Sequence, residues 1–498
     1  MPETFDILVV GGGVNGCGIA RDAAGRGFSV LLAERGDLGG ATSSASSKLI
    51  HGGLRYLEHR EFRLVREALA EREVLLRIAP HIIRPMRFVL PHRPEMRPRW
   101  MIRAGLFLYD NLARRVSLPG AEGFPTRGDP RATPLRPEIG SAFAYSDAWV
   151  EDSRLVVLNA RDAARRSARV LVRTALVSAK RGADAWTCTV RPADGGAEQE
   201  VRARVLVNAA GPWVEQALGL AGMRSAGRVR LVRGSHVVLP ALYEGEHAFI
   251  LQNDDGRVVF VIPYEGAFSL VGTTDVPHEG DPARARCTDE EAAYLCAAVG
   301  RQFRRAPTPE EIVWRYSGVR PLHDDGAGDP SAVSRDYTLT LDAKGGAPAL
   351  SVFGGKITTY RRLAEEAIDR LGGVLGGART PWTGNAPLPG GDLGGLGLAA
   401  FERAAGDRYP WLAARVLRRL VRSYGSELDE VLGGAREPRD LGTDFGGGFT
   451  ERELEWLRAE EWARTSEDVL WRRTRLGLHL LPAQHAAVAE RLDRLNCS

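Results

Sequence analysis

His236 stands in RGSHVVLP (233–240), an otherwise apolar stretch, and is one of ten histidines in the chain. An imidazole in such a place can take a proton near neutral pH. Arginines recur in short patterned stretches: Arg55 behind a glycine pair in HGGLRY, Arg320 in YSGVRPL and Arg335 in SRDYTL. A guanidinium matches phosphate or carboxylate oxygens in a two-pronged fork. Each arginine taken singly reads sooner as a surface ion pair, and a lone histidine sooner as a satisfied core residue. What such residues could do depends on the elements that gather them.

The first such element is FDILVVGGGVNG (5–16). Ile7 to Val10 form an apolar run suited to a buried parallel strand. Gly11, Gly13 and Gly16 then fit G-x-G-x-x-G. Gly11 permits the tight turn, Gly13 lets the backbone approach a pyrophosphate, and Gly16 lets the next helix pack closely. The pyrophosphate would rest on that helix N-terminus, beside Asn15. A second strand, FSVLLA (28–33), ends at Glu34, the right distance for an acid gripping the adenosine ribose hydroxyls. Arg35 beside it leaves the 2′-phosphate question slightly open.

A plain NAD site would lead on to another crossover helix. Here the chain continues into ATSSASSKLIHGG (41–53). Ser43, Ser44, Ser46 and Ser47, with Thr42, offer short donors, and Lys48 offers a charge, to a second anionic stretch. Leu49, His51, Gly52 and Gly53 allow a flat ring to lie against the backbone. A longer dinucleotide, FAD, needs that second zone; a serine-rich surface loop is the plainer alternative. VRARVLVNAAGPWVE (201–215) reads as a strand and a small-residue turn ending at Gly211. SVFGGKITTYRRLAEEAIDRL (351–371) reads as strand, glycine pair (Gly354, Gly355) and a helix starting near Ile357, with Lys356 and Thr358 at its head. A helix N-terminus there would stabilise negative charge on a reduced flavin.

Together with HGGLRYLEHREFRLVREALAERE, RGSHVVLP, GTTDV, YSGVRPL, SRDYTL and SVFGGKITTYRRLAE, these stretches closely resemble the FAD-dependent sn-glycerol-3-phosphate dehydrogenases, the respiratory membrane-associated kind. The likeness runs from about residue 5 into the C-terminal region. It implies an α/β fold like D-amino-acid oxidase: a Rossmann-type FAD domain, an antiparallel-sheet substrate domain and an added C-terminal α-helical domain. It implies oxidation of glycerol 3-phosphate to dihydroxyacetone phosphate, with electrons passed to quinone. By that resemblance Arg55, Arg320 and Arg335 form the phosphate site, with Tyr56 close by. His236 is then the base and Thr274 of GTTDV a further substrate contact. Lys356 stands to hold either the alcohol oxygen or the reduced flavin's charge. A homodimer attached to the cytoplasmic face of the membrane is likewise an expectation from the resemblance.

The elements sort accordingly. A discontinuous FAD domain is expected from 1–80, 150–230 and 331–385, a substrate domain from 81–149 and 231–330, and a helical domain from 398–498. APLPGGDLGGLG (386–397) is the break before the last. RPRWMIRAGLFLYDNLARR (97–115) sets arginines around an apolar block. On residues alone it suits a core helix flanked by surface arginines at least as well as a helix lying in the headgroup layer; the resemblance favours the second.

Bulk composition excludes other classes. Lys plus Arg number 67 against 63 Asp plus Glu, so charge nearly balances at +4 and gives no case for nucleic acid. The five cysteines (Cys17, Cys188, Cys287, Cys296, Cys497) form no CxxC pair, so neither a disulfide framework nor a metal site is expected, and the usage suits a reducing cytoplasm. The first strand starts too early for a signal peptide, and no apolar run reaches 18 residues. Three rival readings remain: an oxidase using O₂, whose kind tends to carry an internal insertion not seen here; an amine-oxidising flavoenzyme, disfavoured by the arginines; and a non-enzymatic flavoprotein.

Overall fold

The computed structural model describes residues 2–58, 60–93, 95–224, 228–324, 336–377 and 380–497. Among these, Glu3–Val10 pairs in parallel with Val30–Ala33 on one side and Gln199–Asn208 on the other. Ala349–Phe353 and Arg169–Leu171 extend the parallel run at its two ends. Ile7, Val9, Val30, Leu32, Val205 and Val207 are fully buried under the helices Val14–Gly25, Asp152–Arg165 and Tyr360–Leu375. Continuous β-branched and leucine runs suit a sheet covered on both faces. The other face is closed by the hairpin Thr174–Arg181/Trp186–Pro192, which inserts Trp186 and Cys188.

A second, largely antiparallel sheet contains Ile83–His92, Ser141–Val150, Arg228–Pro240, Ala248–Gln252, Val258–Tyr264, Phe268–Gly272 and Trp314–Asp324. The two-residue strand Leu49–Ile50 joins this sheet, although it falls within the stretch expected for the cofactor domain. One face buries Val237, Leu239 and Val261 beneath Leu295 of helix Asp289–Gly300. The other carries Val238, Ile262, Phe88 and Tyr145, in one cluster with Leu69 of helix Phe62–Ile78 and Leu106 of helix Arg99–Asn111.

Helices from Leu398 onward enclose a third core around Leu420, Phe449, Leu454, Trp456 and Val469. Buried ion pairs join it to the cofactor domain: Arg473 to Asp37 at 2.7 Å, Arg475 to Asp152 at 2.6 Å, and Arg154 to Glu461. Trp471 stacks on Trp314 of the second sheet at 4.5 Å.

The 97–115 stretch forms helix Arg99–Asn111. Leu106 and Tyr109 are buried, while Trp100 and Phe107 are 69% and 70% exposed, with Met101 and Leu108 beside them. Trp100 and Met101 recur two turns on as Phe107 and Leu108, seven residues later, which puts these four residues on one helical face. The core-helix reading therefore fails for that face. No helix among the described residues is long and apolar enough to cross a membrane.

Candidate active site

The glycine loop follows the strand Glu3–Val10. Gly11 takes φ +109, which favours glycine. A Cβ at Gly16 would collide with the Gly11 carbonyl, whereas one at Gly13 would meet only Ser43 Oγ at 3.2 Å. The loop is thus closed where helix and strand meet and open toward a ligand. The first-turn N–H groups of Val14–Gly25 have no intrahelical acceptor. Val14 N–H donates to Ser43 Oγ at 3.0 Å, and Asn15 Oδ1 is buried without a hydrogen-bond partner among the described residues. Glu34 accepts from Gly12 N–H at 2.5 Å and Gly36 N–H at 2.7 Å; burial nevertheless raises its carboxyl above the usual value. Asn15 Nδ2 donates to the Gly354 carbonyl at 3.2 Å, and Gly354 and Gly355 both have positive φ. Gly211 likewise has φ +55 at the end of the neighbouring turn. An acid, a helix N-terminus, an orphaned amide oxygen and a glycine-lined approach suit a dinucleotide that runs on toward Gly354.

The helix behind the glycine pair begins at Tyr360, not near Ile357. Two successive left-handed glycines need a further turn before helical geometry can start. Thr358 Oγ1 lies 3.3 Å from His51 N–H, so this turn and the HGG stretch meet directly.

The second sheet supplies the reactive face. His236 is opposite Gly272 on one neighbouring strand and Tyr316 on the other. Residues directly opposite share a face, and alternate residues along a strand do too. Gly234 and His236 therefore share a face with Tyr316, Gly318 and Arg320. The His236 and Tyr316 rings lie nearly parallel, 4.9 Å apart. Arg320 donates to Thr273 Oγ1 and to Asp275, each at 3.3 Å. Ser47 Oγ lies 2.8 Å from His236 Nε2, and His236 Nδ1 is buried with no partner among the described residues. Burial first, then the cations Arg320 and Lys48, hold the His236 imidazole well below its ordinary pKa. His51 is lowered by burial, with Lys356 and Arg320 acting in the same direction and Asp147 against them. Lys356 Nζ sits 3.9 Å from the centre of the Tyr56 ring.

His236, Arg320, Lys356, Tyr56 and His51 are thus brought into one neighbourhood. Arg55 lies next door on the short helix Leu54–Leu57, exposed. Gly52 N–H donates to Tyr109 Oη at 2.8 Å, and Tyr109 donates to Asp147, which pairs with Arg72. That buried network fixes the HGG backbone from below. Arg335 lies outside the described residues.

Several expected contacts go elsewhere. The Lys48 ammonium is fully buried on Asp152, at 2.7 Å, instead of offering its charge to a ligand; burial and Arg475 lower its pKa to about 8. A buried ammonium needs a carboxylate partner, and Asp152 is 104 positions away in sequence. The Thr274 hydroxyl donates to Glu291 at 2.7 Å and accepts from Ser235 N–H, on the sheet face turned away from His236. It is Thr273 that meets Arg320. The Thr42 hydroxyl donates to Val319 O and ties its loop to the strand Trp314–Asp324, while Ser44 donates to Ala41 O and closes the loop itself. Ser47 faces His236. The parity of Tyr316, Gly318 and Arg320 was a signal for Tyr316; Ser47, expected as a cofactor contact, is the partner of His236, and nothing local marks Asp152.

Comparison with known proteins agrees with this architecture. Residues 6–361 match the FAD dependent oxidoreductase family, and residues 381–495 match the C-terminal domain of alpha-glycerophosphate oxidase. The chain is 50% identical to a D-erythritol 1-phosphate dehydrogenase of Brucella abortus, over 99% of each chain. It is also 50% identical to the aerobic glycerol-3-phosphate dehydrogenase of Escherichia coli, over 98% of this chain and 97% of that one. Its fold matches the structure of a glycerol-3-phosphate dehydrogenase from Bacillus halodurans complexed with FAD, at TM-score 0.77 and 23% identity, over 99% of this chain and 94% of that one. The chain therefore belongs to the FAD-dependent oxidoreductases, with FAD as its cofactor, in the branch that carries the alpha-glycerophosphate oxidase C-terminal domain.

Proposed function

We propose that the chain oxidises sn-glycerol 3-phosphate at its secondary alcohol to dihydroxyacetone phosphate and passes the electrons to a respiratory quinone. The observation that carries the reading is the buried imidazole of His236 on the same sheet face as the guanidinium of Arg320. The family and the names of its near relatives supply the substrate class. FAD, when bound, supplies the acceptor for the hydride leaving the alcohol carbon. His236 takes the hydroxyl proton at Nδ1, the ring nitrogen left without a partner among the described residues, a role typically worth ~10²–10⁴-fold in rate. Arg320, with Arg55 and Arg335, holds the phosphate, and Lys356 holds the alcohol oxygen.

D-Erythritol 1-phosphate is the second reading, favoured by the Brucella abortus relative of equal identity and full-length coverage. It has the same phosphate beside a secondary alcohol, with one carbon more. The exposed apolar face of Arg99–Asn111, with Arg97, Arg103, Arg114 and Arg115 close by in sequence, supports attachment to an anionic membrane, where a quinone is available.

The test is anaerobic. Rapid bleaching of the flavin band by sn-glycerol 3-phosphate, with none from glycerol or the sn-1 enantiomer, supports the reading. Faster bleaching by D-erythritol 1-phosphate shifts the assignment to the four-carbon substrate, and no bleaching by either sinks both. Reoxidation by a soluble quinone faster than by O₂ supports the acceptor.

A further inference from the structure

Asp152 opens the helix Asp152–Arg165 and has no solvent exposure. Its carboxylate gathers donors from three parts of the chain. Lys48 Nζ donates to both oxygens, at 2.7 and 2.8 Å. Ser46 Oγ donates at 2.8 Å and Ser153 N–H at 2.8 Å. From the C-terminal domain, Arg475 Nη2 donates at 2.6 Å.

Ser46 and Lys48 flank Ser47. Lys48 N–H also donates to Ser46 Oγ at 2.9 Å, and Tyr316 Oη donates to the Ser46 carbonyl at 2.8 Å. Lys48 takes φ +58 and Arg475 φ +61, a left-handed conformation that side-chain residues avoid unless their surroundings impose it. The peptide so pinned delivers Ser47 Oγ to His236 Nε2 at 2.8 Å. A second contact runs in parallel. The Trp471 carbonyl accepts from Arg475, and its ring stacks on Trp314 at 4.5 Å. Trp314 meets Tyr316 at 4.9 Å, and Tyr316 meets His236 at 4.9 Å.

We propose that Arg475 is a positioning residue for proton removal: acting from the C-terminal domain through Asp152, it fixes the 46–48 turn so that Ser47 holds the His236 ring in the orientation of a base. The role given to His236 rests on the alcohol-oxidising reading above; the geometry of the relay does not. It gives the C-terminal domain a task in the reaction without placing it in contact with substrate. The charged and titratable groups facing His236 are Lys48 from the turn, and Arg320 and Tyr316 from the strand Trp314–Asp324.

The test uses the FAD-loaded full chain. Nitrogen-15 labelled histidine gives two ring signals for each of the ten histidines, and His236→Gln identifies the pair from His236. Ser47→Ala removes the hydrogen bond to Nε2 directly. Arg475→Gln is expected to move the Nε2 shift the same way, and Arg475→Lys to restore it in part. An Nε2 signal in Arg475→Gln identical to wild type would overturn the proposal. The kinetic arm is anaerobic flavin reduction. Each single variant is expected to lose up to about 10²-fold in rate, as a misplaced catalytic group does, with substrate dissociation constant and FAD content within about twofold of wild type. The double variant Ser47→Ala/Arg475→Gln should be no slower than Ser47→Ala alone, because both act through one contact. Additive losses would overturn the proposal. If wild-type flavin is reduced by neither polyol phosphate, the functional reading falls, and the nitrogen signals still decide the relay. Should Arg475→Gln not fold, Ser46→Ala removes one arm to Asp152 and leaves the ion pairs. A smaller shift in the same direction is then expected, and an unchanged signal overturns the proposal.

Discussion

Tyr316 lies flat on His236, ring centroids 4.9 Å apart and planes within 14°. The stack limits rotation of the imidazole about its own bond, while the Tyr316 hydroxyl anchors the Ser46 carbonyl. The two effects separate by substitution. Tyr316→Phe keeps the stack and loses one hydrogen bond, worth about 1 kcal/mol, so flavin reduction should slow only severalfold. Tyr316→Leu removes the flat surface as well and should slow it by well over tenfold, with FAD still bound. Stopped-flow absorbance on both variants checks this, and equal rates would contradict the stacking role.

The pH dependence follows from the His236 environment. Burial, Arg320 and Lys48 hold its pKa well below the ordinary 6.5. A base accepts a proton only when neutral. Because the folded value is lowered, the neutral form persists as pH falls through 6.5, and the acid limb of flavin reduction should lie below that pH. Lys48→Met removes one of the two cations, so its limb should move upward in pH. A wild-type limb at or above pH 6.5 would mean that another group controls the rate.

Local chemistry was legible in the sequence and distant pairing was not. The strand, glycine loop, helix, strand and acid of residues 5–34 are contiguous, and Gly11 and Gly16 answer steric demands within that unit. Arg320 and His236 could be singled out because short motifs carry them. Lys48 could not be placed correctly, because its carboxylate partner lies 104 residues away and only the fold brings them together. Thr273 and Thr274 are adjacent threonines just past a strand end, where alternation stops and parity no longer says which one faces the site. The helix start moved from Ile357 to Tyr360 because two left-handed glycines delay it. The burial of Leu106 and Tyr109 in helix Arg99–Asn111 goes with Tyr109 reaching Asp147 and Gly52, which composition does not reveal.

Arg320 should set substrate affinity through charge. A charge-assisted hydrogen bond contributes roughly 1.5–3 kcal/mol, so Arg320→Ala should raise the half-saturating concentration of the phosphorylated substrate by about ten- to a hundredfold. Arg320→Lys should recover part of that loss, since a point charge lacks the fork. Any slow reduction by unphosphorylated glycerol should be little changed. Equal losses on both substrates would argue against a phosphate role.

Helix Arg99–Asn111 gives a membrane prediction. Burying a large apolar side chain contributes about 1.5–3 kcal/mol. Trp100→Ser together with Phe107→Ser should therefore weaken binding to anionic vesicles by at least roughly tenfold, and Arg97→Glu with Arg103→Glu should abolish its dependence on anionic lipid. Both residues of the first pair are mostly exposed, so thermal stability should hardly change. Vesicle co-sedimentation at wild-type strength in both variants would exclude this helix as the anchor.

Arg473 joins stability to cofactor retention. It is fully buried, donates to both oxygens of Asp37 at 2.7 and 2.8 Å, and reaches the Glu461 carbonyl at 2.7 Å. Asp37 lies three residues beyond Glu34, in the turn whose Gly36 N–H donates to the Glu34 carboxylate. Arg473→Met leaves Asp37 with Arg472 alone, at 2.5 Å. Breaking one partner of a buried pair typically costs about 3–5 kcal/mol, and the surviving partner places the expected loss toward the lower end. The unfolding midpoint should fall by several degrees, and because the slackened turn carries Glu34, FAD should dissociate faster on dilution. A lowered midpoint with unchanged FAD release would show that Arg473 only fastens the two domains together, whereas a change in both would show that the C-terminal domain holds the ribose-binding turn in place.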